Sequence, residues 1–162
     1  MMRNSGLELP MDEMWRAEQH RLYDYWVKIR PGDVALPGRQ HLDPIEIPDL
    51  LPYFFLIDVE KEPLRFRYRV VGTTLETELG HKLTGVWLHD AFADFSGSLL
   101  EQQLTSVAAN AEPIYHKGPL LTSIDKDFLW IERLILPLAR DGSTVDMLMG
   151  VSFIGPRRDL EG

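Results

Sequence analysis

Three carboxylate pairs, Asp58 with Glu60, Asp90 with Asp94 and Asp125 with Asp127, are spaced so that one group could give a proton while the other takes it. Their local settings point elsewhere. Asp58 ends a strand-like run, and Asp125 and Asp127 lie in "SIDKD", where Asp is favoured for turn reasons alone. No Ser or Thr occupies a nucleophile elbow, and no glycine-rich phosphate loop follows a strand. His20, His41, His81, His89 and His116 are scattered without metal-ligand spacing. The chain has no cysteine, which removes thiolate catalysis, disulfides and Cys-based metal sites. The stretch "RFRYRVVGTTL" (65–75) alternates arginine with rings, as a nucleic-acid-binding strand would. In a strand, however, Arg65, Arg67 and Arg69 fall on one face and Phe66, Tyr68 and Val70 on the other, so both sets cannot meet one nucleic-acid strand. A net charge of −8, from 17 Lys and Arg against 25 Asp and Glu, opposes phosphate binding further. We expect no nucleic-acid partner.

The elements that must position these groups follow from periodicity. Residues 12–30, "DEMWRAEQHRLYDYWVKIR", set Met14, Trp15, Leu22, Tyr25, Trp26 and Ile29 at helical spacing before Pro31 and Gly32 stop the run. Asp43 can cap a short helix with Pro44 at its first position and Glu46 as capping-box partner. "YFFLIDVE" (53–60) and "RFRYRVVG" read as strands joined by a turn at "KEPL". Short helical pieces at "TTLETELG" and "TGVWLHDAF" precede a longer helix over 98–111, where Ser98 and Glu101 fit a capping box and Leu100, Leu104 and Val107 share a face. Three strands finish the chain, 114–122, 128–139 and 145–155, the last two joined at the hairpin signal Asp141-Gly142.

The strand over 128–139 is apolar on both sides, with Trp130, Leu134, Leu136 and Leu138 on one face and Leu129, Ile131, Ile135 and Pro137 on the other. Which face is inner is left open. Either way something must cover the second face, and we expect the N-terminal helix to do so within a homodimer. Glu132 and Arg133 are adjacent in this strand and point to opposite faces, so at least one charge presses against protein. A salt bridge or strand-end position is one explanation, and a polar anchor for a ligand or a dimer contact is the other.

With 162 residues, 44% hydrophobic and 26% charged, the chain suits one domain with a real core. Its first thirty residues contain no unbroken apolar run, so they resemble neither a signal peptide nor a membrane span. A soluble cytoplasmic protein without a membrane partner is the expectation.

Two motifs carry a resemblance. "LPGRQHLDPIEIPDLLPYFFLIDV" (36–59) and "FRYRVVGTTLETELGHKLTG" (66–85), with "LILPLARDGSTVDMLMG" (134–150) as a closing hairpin, resemble a small bacterial PAS family of the single-domain, alphaproteobacterial type. The resemblance implies an α+β PAS fold, a five-stranded antiparallel sheet with helices over one face, to which the N-terminal amphipathic helix adds a cap. It also implies a sensory or scaffolding role without catalysis. The expected organisation is an N-terminal extension over 1–35, a PAS domain over 36–155 and a frayed tail over 156–162.

A sensing PAS domain encloses a small cavity between its helices and the inner sheet face. The expected lining is Tyr68, with Phe66 and Val70 beside it, then Trp87, His89, Leu104, Tyr115, Arg133, Met147 and Met149. Trp15, Leu22, Tyr25, Trp26 and Ile29 are expected to form the capping or dimer helix. These residues could equally fill a core, because Met and aromatic side chains at such spacing are what cores contain. No cofactor is identified. PAS haem sensors would carry a histidine on or beside the longer helix, yet residues 96–112 contain none and His89 is the sole substitute. Covalent flavin chemistry needs the missing cysteine, while non-covalent flavin stays open although no residue asks for it. Output would pass to an unidentified signalling partner, with a small molecule as possible input. The alternatives are a ligand-free interaction scaffold and a cone-shaped α+β enzyme of the ketosteroid-isomerase type.

Overall fold

A computed structural model describes residues 15–120 and 129–156. Met14, Asp125, Asp127 and the tail beyond Pro156 lie outside the described residues. Strands β1 (Phe54–Glu60), β2 (Arg65–Val71), β3 (Ile114–Pro119), β4 (Leu129–Leu138) and β5 (Met147–Pro156) form one antiparallel sheet in the order β2-β1-β5-β4-β3. Helix α1 (Ala17–Lys28) precedes them, and α2 (Thr73–Leu79), α3 (Leu88–Ala91) and α4 (Leu99–Asn110) lie between β2 and β3. Three short 3-10 segments, Arg39–His41, Pro44–Glu46 and Pro48–Tyr53, lead from α1 into β1.

Local chemistry explains the boundaries. Ser98 Oγ accepts from the Glu101 amide at 3.1 Å, while Glu101 Oε1 accepts from the Gly97 amide at 2.7 Å, so two otherwise orphaned donors at the start of α4 are satisfied. Asp43 Oδ1 accepts from the Ile45 amide at 3.1 Å and opens the Pro44–Glu46 turn, with Pro44 supplying a preset φ. Asp141 Oδ1 accepts from the Ser143 and Thr144 amides at 2.9 and 2.7 Å, and Gly142 takes the left-handed φ of 88° that lets the β4–β5 connection close.

Helix α1 lies across the outer face of the sheet in the same chain. Leu22, Tyr25 and Trp26 are buried against it, Trp15 packs its ring 5.5 Å from Tyr115, and the Trp26 indole donates to the Pro137 carbonyl at 2.8 Å. The register shows what it covers. Phe153, Val151, Met149 and Met147 of β5 stand opposite Glu132, Leu134, Leu136 and Leu138 of β4, so the even-numbered residues of β4 form the outer face and Ile131, Arg133 and Ile135 the inner one. Ile29 packs at the edge of this layer.

The parity expected for β2 holds only as far as Tyr68. Leu56 and Ile57 of β1 pair with Val70 and Tyr68, which leaves Arg69 unpaired in a β-bulge. The extra residue reverses the alternation beyond it. Phe66 and Tyr68 are buried as expected, but Val70 turns outward at 40% exposure and Val71 takes the buried place.

Candidate ligand cavity

A cavity of about 180 Å³ lies between the inner sheet face and the helices. Phe55 and Ile57 of β1, Tyr68 of β2, His116 of β3, Ile131 and Arg133 of β4 and Ser152 of β5 form its floor. Leu75 and Leu79 of α2, the 91–95 segment that begins at the last residue of α3, and Leu100 and Leu104 of α4 form the opposite wall. The walls are mainly apolar because each contributing element turns its hydrophobic stripe inward.

Arg133 stands out among the polar residues of this lining, which include His116, Ser152 and Asp94. It is 8% exposed, and its pKa is pulled down to about 10 because burial penalises the guanidinium. One terminal nitrogen donates to Gln103 Oε1 on α4 at 2.7 Å, and Nε has no hydrogen-bond partner among the described residues. Tyr68 lies close enough to interact electrostatically with Arg133, and burial pushes its hydroxyl far above the ordinary tyrosine range. His116 stands opposite Arg133 across the β3–β4 ladder, and burial, then Arg133, lower its proton affinity.

Of the sequence-predicted lining, the cavity brings together Tyr68, Leu104 and Arg133. The others stand elsewhere. Met149 is fully buried but faces outward between Leu56 and Leu136, and Met147 shares that face opposite Asp58 and Leu138. Tyr115 also points outward, where its hydroxyl donates to Glu132 Oε2 at 2.6 Å. Trp87 flanks the β2 edge beneath Arg65 and Arg67, whose guanidinium carbons lie 4.2 and 5.0 Å from its ring. His89 is exposed beside it, at 3.8 Å from Asp90. Sequence reasoning missed His116, Ile131, Ser152, Phe92 and the inner residues of β1. A usable signal existed: once Arg133 is placed inward, Ile131 follows by parity, and His116 and Ser152 follow as its cross-strand partners.

The remaining charged motifs are engaged. Arg69 and Arg67 reach Asp58 at 3.0 and 3.7 Å, and Arg65 reaches Glu60 at 3.3 Å, so the arginine row and one carboxylate pair neutralise each other. Asp94 lines the cavity whereas Asp90 does not, so that pair does not converge there. Among the described residues no group of three or more His, Asp or Glu side chains could hold a metal ion. No helix among them is long and apolar enough to cross a membrane.

Glu132, Arg133's neighbour, sits on the outer face under α1 at 1% exposure. Burial raises its pKa, opposed by the Tyr115 hydrogen bond, Lys117 and Arg16, and reinforced by Glu18. A carboxyl group held above its unfolded value binds more protons in the folded state, so this contribution to stability is present below about pH 4.5 and falls as pH rises through the folded value. His116 acts in the opposite sense, losing stability as pH falls below about 6.5. Glu132→Gln keeps an acceptor for Tyr115 and removes only the carboxyl titration. Urea unfolding at pH 5 and pH 7.5 is expected to show this variant gaining stability over the parent at the higher pH. An equal difference at both pH values would disprove the assignment.

Residues 14–153 match the family model described as PAS domain. No curated protein matches the chain in sequence at a significant level. Among solved structures it is similar to an RNA-binding light-oxygen-voltage receptor, with TM-score 0.53 and 15% identity, covering 81% of this chain but only 37% of that one. It is similar also to a light-oxygen-voltage domain studied with a flavin analogue, with TM-score 0.51 and 15% identity over 72% of this chain and 87% of that one. A light-oxygen-voltage protein from Rhodobacter sphaeroides gives TM-score 0.51 and 10% identity over 72% of this chain and 70% of that one. At these identities the likeness is one of fold.

Proposed function

The chain belongs to the PAS domain family, and from that premise we propose that it is a sensory module that binds a small molecule in the cavity and signals through α1 to a partner protein. The observation that carries the reading is the placement of Arg133 and Glu132. Adjacent on β4, one faces the cavity and the other is buried beneath α1, so a displacement of the strand by a ligand is felt at once under the helix. Such a ligand acts only if it binds one packing of sheet and helix more tightly than the other. On this reading residues 36–155 are the sensory unit and residues 1–35 carry the element that reports on it.

The flavin suggested by the light-oxygen-voltage neighbours does not fit. Sites for ligands of drug size occupy roughly 300–1,000 Å³, well above the 180 Å³ here, and the chain lacks a cysteine for a flavin adduct. Haem fails the same volume test, and His89, the ligand expected for it, lies outside the cavity, which His81 and His116 line. The sheet coverage that motivated a homodimer is supplied within one chain, so a second copy is not needed to explain it.

Native mass spectrometry of the purified protein tests the reading against a ligand-free scaffold. The expected result is a native mass exceeding the denatured mass by one small molecule. A clean apo mass, together with no binding of added small molecules, would favour the scaffold.

A further inference from the structure

Resting on the reading of the cavity as a ligand site, we infer that its ligand is a small monocarboxylate with an apolar body, its carboxylate held by Arg133. A guanidinium carries five donors in a planar fork that matches a carboxylate. Here one terminal nitrogen is given to Gln103, while the buried Nε is unpartnered among the described residues. Those residues also offer Arg133 no counter-charge. Glu132 points to the opposite face, and Asp94, though it lines the cavity, forms no ion pair with it. Leaving a buried cation without a counter-charge is costly, and a packed apolar side chain would fill the same space without that cost.

The rest of the wall limits what accompanies the charge. Phe55, Ile57, Phe92, Leu104 and Ile131 present hydrocarbon, which suits an apolar body and would strand a second charge. Tyr68, which keeps its proton, adds a hydroxyl donor beside the fork. His116 is disfavoured as a cation, so it does not supply a second anionic subsite. A dry apolar cavity of ~150 Å³ accommodates benzene. The cavity's 180 Å³ therefore suits a ligand of about six to nine heavy atoms, the size of benzoate or hexanoate.

The test titrates the full chain with benzoate and hexanoate and, in parallel, with their neutral counterparts benzamide and hexanamide, following backbone amide shifts of cavity residues by NMR. The acids are expected to bind roughly ten- to hundred-fold more tightly than the amides, the range of one charge-assisted hydrogen-bond pair. Arg133→Met should abolish that gap, and Arg133→Lys should retain part of it. Removing an uncompensated buried charge is not expected to lower the melting temperature of Arg133→Met. If that variant fails to fold, the acid-to-amide ratio on the parent protein still decides. Equal binding of acids and amides, or a gap that survives in Arg133→Met, overturns the carboxylate assignment and leaves the ligand-sensing reading intact. Binding of neither class overturns the carboxylate assignment, and the native mass of the purified protein then decides the ligand-sensing reading.

Discussion

Gly150→Ala should destabilise the fold by about 3 kcal/mol or more, an unusually large loss for one added methyl group. Gly150 lies in β5, between β1 and β4, where it pairs with Phe55 on one side and Ile135 on the other. A Cβ there would stand 2.1 Å from the Leu134 carbonyl oxygen and 2.4 Å from Phe55 Cζ. The ring could swing into the cavity. The carbonyl cannot move without opening the β4–β5 ladder. Urea unfolding of the parent and variant measures the loss, and Phe55→Leu in the variant background should recover only part of it, because the carbonyl contact remains. A loss below about 1 kcal/mol would show that the ladder yields more easily than its geometry implies.

Trp26→Ala is expected to cost about 3–5 kcal/mol, the range for truncating a buried aromatic residue. Trp26→Phe should cost only about 1–2 kcal/mol, chiefly from the hydrogen bond to Pro137. The contrast separates covering the sheet from tying the helix to it. Leu134, Leu136, Met149 and Val151, all fully buried, belong to the outer face beneath this layer, so truncation should also increase binding of a hydrophobic dye. If Trp26→Ala unfolds at nearly the same urea concentration as the parent, α1 is not what closes the outer face. Because α1 is also the proposed signalling element, a variant that keeps the fold and still binds ligand would separate sensing from output.

Much of this was legible in advance because it depends on local chemistry. The Ser98 cap, the Asp43-Pro44 turn and the Asp141-Gly142 hairpin each use a short side chain or a permissive backbone next to the element they bound, and all stand where the residues put them. The need for a cover over β4 was also legible, since a strand apolar on both faces cannot leave either in water. What failed was assignment of faces. The sequence reading puts Tyr115, Met147 and Met149 inward, yet each belongs to the outer layer. Nothing in "IYHKGP" or "MLM" tells one side of a sheet from the other when both sides are buried.

The order of elements, the apolar patterning and the absence of cysteine were written in the chain, and with them the PAS family, the antiparallel sheet and the lack of thiol chemistry. The sequence also required Glu132 and Arg133 to part company across β4, because neighbours in a strand must. Only the tertiary structure decided which of them faces the cavity. It brought Gln103, Tyr68 and His116 around Arg133 from separate elements, and it introduced the bulge at Arg69 that turns Val70 outward. Register and bulges are set by the sum of cross-strand contacts, which no single segment contains.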